Sequence, residues 1–326
     1  MKPRVAFVGT GWIGRHRMAA MVDAALVEPI AICDPDPACR TAAAQIAPLA
    51  PQFDDFDAVL AEQPDAVVIA TPSAMHADQA KAALDAGIPV FCQKPLGRSA
   101  EEVRSVIAAA RRADRLLGLD LSYRHITGMR QIADLIRKGT LGRVFACDLV
   151  FHNAYGPDKD WFYDPALSGG GCVVDLGVHL VDLALWALGF PRAGAVTSNL
   201  LSGGEPYRPG MAEDYATATF QAGDTLVRLT CSWRLHAGAD AVIEVAFYGT
   251  QGGARMRNIA GSFYDFAAEH LVGTHATTLT REPEDWGGRA AQEWARRLDR
   301  SPKFHRSAEE FLRSAEVLDR MYGRET

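Results

Sequence analysis

No block or stripe of basic residues occurs in this 326-residue chain, whose formal net charge is −6. The electrostatic footprint of a nucleic-acid partner is therefore missing. No uninterrupted apolar run reaches the ~20 residues that a membrane span needs. The N-terminus leads straight into a strand-like run, without a charged leader, apolar core or cleavage site, so a cytoplasmic protein is expected. Six cysteines (Cys33, Cys39, Cys92, Cys147, Cys172, Cys231) include no C-x-x-C pair, and most lie in apolar runs. They predict buried free thiols rather than disulfides, and no metal site is expected. Repeats and low-complexity tracts are also missing. What is present is an ordinary globular composition, 48% hydrophobic and 23% charged, in a chain long enough to need two domains.

The first 34 residues carry the strongest signal. Arg4 to Val8 reads as a buried strand and feeds directly into Gly9-Thr10-Gly11-Trp12-Ile13-Gly14. A helical stretch to Val22 follows, then a second apolar run from Val27 to Cys33 that ends on Asp34. In such a unit Gly9 makes the tight turn, Gly11 lets a pyrophosphate approach the backbone, and Gly14 lets helix and strand pack closely. The helix start near Trp12 and Ile13 presents unpaired N–H groups to phosphate. Asp34 lies 20 residues beyond Gly14, where a carboxylate accepts hydrogen bonds from ribose hydroxyls. The pattern predicts a dinucleotide cofactor. Asp34 would repel the 2′-phosphate of NADP and favours NAD, whereas nearby Arg15 and Arg40 leave NADP open.

Through residue 122 the chain alternates strands and helices at the rhythm of a doubly wound parallel sheet. Ala66 to Ala70, Val90 to Cys92 and Leu116 to Leu119 are its later strands, and Ser73 is expected to cap the helix running to Ala86. From 123 onward the rhythm changes to extended runs at 144–152, 213–221, 225–234 and 242–248, several of them alternating apolar and polar residues. This predicts a second, α+β domain over 123–326 with a large, mostly antiparallel open sheet. Helices are expected at 127–137, at 173–188 and in a last segment capped by Ser307. The broad open sheet predicts self-association as a dimer or tetramer.

Two places carry candidate chemistry. Lys94 follows the fifth strand at its carboxyl end, where ligands bind in open parallel sheets, with Pro95 fixing the backbone after it. A lysine there either polarises an oxygen or is an ordinary surface residue. Further on, Gly169-Gly170-Gly171 precedes a helix in which Asp175 and His179 are four residues apart and share a face. That spacing lets a carboxylate orient an imidazole for proton transfer; an Asp near a helix end and a satisfied His is the plainer reading.

Together the glycine fingerprint, Ala70-Thr71-Pro72-Ser73 with His76, Gln93-Lys94-Pro95, and the triple glycine leading to Asp175 and His179 resemble the glucose–fructose oxidoreductase and inositol dehydrogenase (Gfo/Idh/MocA) family. The resemblance spans nearly the whole chain. It implies an NAD(P)-dependent oxidoreductase of a sugar, polyol or sugar derivative, with Thr71, Pro72, His76, Gln93 and Lys94 lining the cofactor. It further implies that Lys94, Asp175 and His179 converge as the catalytic set: His179 takes the hydroxyl proton and Lys94 steadies the oxygen. The family usually has Glu where this chain has Gln93, which removes a negative charge beside Lys94. Position alone adds Tyr123, Arg124, Asn153, Trp161 and His236 as substrate contacts beside Asp175 and His179, each of which equally suits a packing or surface role. Other readings are a glycosidase that retains its NAD and a non-catalytic dinucleotide-sensing regulator.

Overall fold

The computed structural model describes residues 1–280 and 283–324. It divides into two compact units, Met1–Ser122 with Gly287–Leu312, and Tyr123–Trp286 with the chain from Arg313 onward.

The first unit opens with β1 (Arg4–Val8), α1 (Trp12–Asp23), β2 (Glu28–Cys33), α2 (Pro37–Ala44), β3 (Gln52–Phe53), α3 (Phe56–Ala61) and β4 (Ala66–Ile69). It continues through α4 (Ser73–Asp85), β5 (Val90–Cys92), α5 (Ala100–Ala113) and β6 (Leu117–Leu119). Every strand pair is parallel, in the order β3-β2-β1-β4-β5-β6. The order reverses at β1 and β4, so the crevice beyond their carboxyl ends is the ligand position of a doubly wound sheet. Central strands read as continuous apolar runs because helices cover both faces; all four residues of β4 are buried. α1 turns Gly14, Arg17, Met18 and Met21 inward at helical spacing. Ser73 is the first helical residue of α4 rather than its cap; Pro72 holds the cap position.

In the second unit follow α6 (Thr127–Arg137), β7 (Val144–Asn153), α7 (Pro165–Ser168), a π-helical turn at Val173–Gly177, and α8 (Val178–Ala187). Then come β8 (Ala193–Ser202), β9 (Glu205–Pro206), β10 (Tyr215–Ala222), β11 (Thr225–Ser232), β12 (Ala241–Gly249), β13 (Gly253–Asn258), β14 (Phe266–Val272) and β15 (His275–Thr280). These form one nine-stranded sheet ordered β15-β14-β13-β12-β7-β11-β10-β8-β9. It is antiparallel except at β7 and β11, which run parallel. α6 and α8 cover one face, where Ile132, Leu180, Leu183, Phe151, Leu229 and Phe247 share a core. The helical stretch Pro165–Ala187 is long and apolar enough to cross a membrane by length and composition, which the run-by-run reading of the sequence passed over. It is mostly buried here, as the central helix of a globular core.

The chain ends with α9 (Arg289–Arg300) and α10 (Glu310–Met321). α9 does not fit a second domain spanning all of 123–326, because it packs in the first unit. Trp294 lies against Phe91 with ring centroids 5.5 Å apart, and a Cβ on Gly118 would stand 2.4 Å from its ring. The last helix is led in by His305, whose Nδ1 accepts the Ser307 N–H, so Ser307 is not the cap.

Candidate active site

In the first unit the turn after β1 has the form its glycines require. Gly9 sits at φ 80°, and a Cβ on it would lie 2.5 Å from the Ala70 and Thr71 backbone. A Cβ on Gly14 would lie 1.9 Å from the Gly9 carbonyl oxygen. At Gly11 an added Cβ meets nothing within 4 Å, and no side chain caps the α1 N-terminus that it begins. This open space over uncapped N–H groups is a cradle that a dinucleotide pyrophosphate fits. Trp12 is exposed beside it and Ile13 is half-buried. Asp34 accepts the Thr10 N–H at 2.7 Å through one carboxylate oxygen and the Asp36 N–H at 3.0 Å through the other. Arg15 and Arg40 are tied back to main-chain carbonyls of Thr10 and Asp34, respectively.

The loops after β4 and β5 are clipped together by His76. Its Nδ1 stands 2.6 Å from the Pro95 carbonyl oxygen and its Nε2 2.6 Å from that of Thr71. The ring is 1% exposed, so His76 holds the two loops in place and offers no nitrogen to a ligand. Burial pushes its pKa down, against the pull of the two carbonyls. The Thr71 hydroxyl donates to Gln79, and Pro72 is exposed at the head of α4. Lys94 is half-buried at the end of β5, and its N–H donates to the Gln93 side-chain oxygen at 2.8 Å. The Gln93 amide in turn donates to Asp120 at 2.8 Å.

In the second unit the π-helical turn carries Asp175, and α8 begins one residue before His179. Such turns recur at functional sites because one extra residue re-aims the side chains around it. The Trp233 indole N–H donates to Asp175 Oδ2 at 3.1 Å. His179 is 8% exposed and lies against Tyr123, ring centroids 4.8 Å apart. Tyr123 is itself enclosed by Phe151, Phe266 and Trp286. Burial, and secondarily Asp175, drives the Tyr123 pKa far up, so its hydroxyl stays protonated.

The remaining expected substrate contacts have protein surroundings of different kinds. Arg124 is committed to Asp182 in a two-pronged pair at 2.6 and 2.7 Å, with Trp186 and Phe190 against its guanidinium. Since Asp182 is 1% exposed, the arginine neutralises a buried carboxylate. Asn153 ends β7 half-buried, Trp161 stacks on Phe162 with centroids 3.8 Å apart, and His236 is exposed on the loop after β11. The triple glycine admits protein rather than ligand. A Cβ on Gly171 would lie 1.9 Å from the Glu213 carbonyl oxygen, and one on Gly170 would lie 2.0 Å from the Tyr322 hydroxyl.

Comparison with known proteins fits both units. The oxidoreductase family with an NAD-binding Rossmann fold (Gfo/Idh/MocA) matches residues 3–121, and its C-terminal domain matches 129–255. An oxidoreductase subunit from Amycolatopsis mediterranei (strain S699) is 31% identical over 303 residues, 87% of this chain and 83% of that one. The chain belongs to the Gfo/Idh/MocA family. D-Glucoside 3-dehydrogenase of Escherichia coli (strain K12) is 27% identical over 268 residues, 78% of this chain and 76% of its own. The structure of GenD2 from gentamicin A biosynthesis, solved with NAD, superposes with a TM-score of 0.79 at 26% identity, covering 99% of this chain and 93% of that one. With its first domain matching this family's, the chain is an NAD(P)-binding oxidoreductase.

Within this Gfo/Idh/MocA chain the sequence pointed to side chains expected to meet a ligand and missed the buried acids that hold their segments in place. Asp120, 1% exposed, collects Gln93, Arg17 and Ser122. Glu213, fully buried, accepts the N–H groups of Gly171 and Val173 and the Tyr322 hydroxyl, at the start of the segment carrying Asp175. Burial raises the Glu213 pKa while these donors oppose the rise. A lone acid after an apolar strand was the available signal for Asp120; nothing local marks Glu213.

Proposed function

We propose that this chain is a dehydrogenase of a hydroxyl on a sugar, polyol or sugar derivative, with Lys94, Asp175 and His179 as its catalytic groups. One observation carries the reading: Asp175, on the π-helical turn and held by Trp233, is followed by His179 as the second residue of α8, seated on Tyr123. The substrate class is supported by relatives named for sugars, D-glucoside 3-dehydrogenase and a D-apiose dehydrogenase from Paraburkholderia graminis that is 28% identical over 289 residues, 86% of this chain and 73% of its own.

When bound, NAD(P) supplies the two-electron hydride acceptor. His179 takes the hydroxyl proton; its Nδ1 is shut from solvent, which leaves Nε2 as the exchanging nitrogen. Asp175 favours the imidazolium that results. The Lys94 ammonium stabilises negative charge on the oxygen as the proton departs. Reduction runs the same transfers in reverse. Self-association through the exposed face of the nine-stranded sheet, where Leu226 and Tyr248 flank Ala146, belongs to the same proposal and is checked by light scattering.

The test is a panel of polyols, aldoses, sugar acids and methyl glucosides, each assayed at about 340 nm, the absorbance of the reduced nicotinamide, with NAD+ and with NADP+. Turnover of at least one sugar-like alcohol is expected; none across the panel removes the substrate class. NAD+ is the expected preference, since Asp34 follows β2 beside the glycine turn, where a carboxylate suits free ribose hydroxyls and repels a 2′-phosphate. Asp34→Ser should raise kcat/KM for NADP+ relative to NAD+ by about tenfold or more, because a carboxylate ~4 Å from a phosphate costs several kcal/mol. An unchanged ratio would detach Asp34 from cofactor choice.

A further inference from the structure

Lys94 is held through its main chain, from both sides, by side chains. The Gln93 oxygen accepts the Lys94 N–H at 2.8 Å, and His76 Nδ1 stands 2.6 Å from the carbonyl oxygen of the next residue, Pro95. The Gln93 amide has only one workable orientation. Its nitrogen donates to Asp120 Oδ2 at 2.8 Å, and an ionised carboxylate only accepts, so the amide oxygen is turned toward Lys94.

Asp120 is fixed in turn. Arg17 of α1 pairs with Oδ2 and also donates to Ser122, and Ser122 donates to Oδ1. His16 stands behind Arg17 at 2.9 Å. The charged and titratable groups around the amide are thus Asp120 and Arg17, with His16 behind, the Cys92 thiol at the end of β5 and Lys94 itself. Burial, then Asp120, pushes the Cys92 pKa far up, so the thiol stays neutral. The carboxylate and the guanidinium already balance each other, and the position next to them is filled by a neutral group that both donates and accepts.

We propose that Gln93 is a positioning residue for Lys94, oriented by the buried Asp120 carboxylate, and that a carboxylate cannot replace it in this chain at neutral pH. The part of the claim that concerns turnover rests on the reading of Lys94 given under Proposed function; the part that concerns the loop does not. In a Gln93→Glu variant a carboxyl oxygen would lie where the amide nitrogen now stands, against Asp120. Carboxylates at that separation share one proton, so the pair's folded-state pKa rises. Stability from a carboxyl with a raised folded pKa is full below its unfolded value and is lost as pH rises through the folded one.

Two variants test this. Gln93→Met keeps the bulk and removes both hydrogen bonds. In it the Lys94 amide should exchange with deuterium about tenfold faster, with exchange in β1 and β4 unchanged. kcat on the best alcohol of the panel should fall by about tenfold while the cofactor KM holds. In Gln93→Glu the melting temperature should track the parent in acid and fall below it as pH climbs from about 4.3 toward 8. Parental exchange at Lys94 in Gln93→Met, or a Gln93→Glu melting curve parallel to the parent at every pH, overturns the orientation by Asp120. Faster exchange with unchanged kcat overturns the positioning role. A control, Lys94→Ala, keeps the readings apart: if it retains full turnover, the catalytic reading of Lys94 fails while exchange and melting still decide the fate of the Gln93 network.

Discussion

Replacing His179 with alanine is expected to lower kcat by about 100-fold or more, with the Kd for NAD(P)H unchanged within about twofold. The size follows from the role: with the imidazole gone, the hydroxyl proton must pass to water while negative charge builds on oxygen. The binding half follows from role, because the glycine turn and Asp34, not the imidazole, are the groups expected to hold the dinucleotide. Protonation of the imidazole should also give the parent an acid limb in its kcat–pH profile, which the variant loses. Trp233→Phe offers a graded companion. It keeps an aromatic ring but removes the donor on Asp175, and about a tenfold loss is expected. Steady-state rates at several pH values, beside fluorescence titration of NAD(P)H, check all three. A His179→Ala enzyme with parental kcat would take the residue out of the chemistry.

What the sequence made legible, and what it hid, follows from the range of the interactions. β4, and β1 beyond Arg4, were readable because strands buried on both faces read as unbroken apolar runs, and Gly9 and Gly14 because each answers to nearby backbone, Gly14 to the Gly9 carbonyl and Gly9 to the Ala70 and Thr71 main chain. β8 and β13 to β15 were missed, since a strand of half-buried and exposed residues such as Ala193–Ser202 gives a weak pattern without its partner strand. α9 has a clear apolar face, but amphipathicity says that a helix is covered, not by what; Trp294 seats on Phe91 and Gly118, more than 170 residues earlier. The same limit explains the triple glycine. Close approach was the right physics, and the approaching groups are Glu213 and Tyr322. Arg124 shows it for charge: whether an arginine faces a ligand or a buried aspartate 58 positions on is invisible to spacing.

Gly11→Ala and Gly14→Ala should fail in opposite ways, although both add one methyl group to the same turn. Gly11 has φ −57°, which alanine adopts freely, and its added Cβ meets no atom within 4 Å. The variant should therefore fold with the parental melting temperature. Yet the methyl occupies the space over the α1 N-terminus where a pyrophosphate would lie against main-chain N–H groups, and NAD(P)H affinity should fall by about 100-fold or more. Gly14→Ala meets the fold itself. Its Cβ lies 1.9 Å from the Gly9 carbonyl oxygen and 3.0 Å from the Gly9 carbonyl carbon, so α1 and the turn must move apart. Backbone cannot yield as a side chain does, so the cost should reach or exceed the ~1–3 kcal/mol of ordinary overpacking, lowering the melting temperature by several degrees. Melting with and without NADH separates the two outcomes, because a ligand raises the midpoint only of a chain that binds it. A Gly11→Ala protein still stabilised by NADH like the parent would mean that the phosphates bind elsewhere, and the glycine turn would then be no more than a packing device.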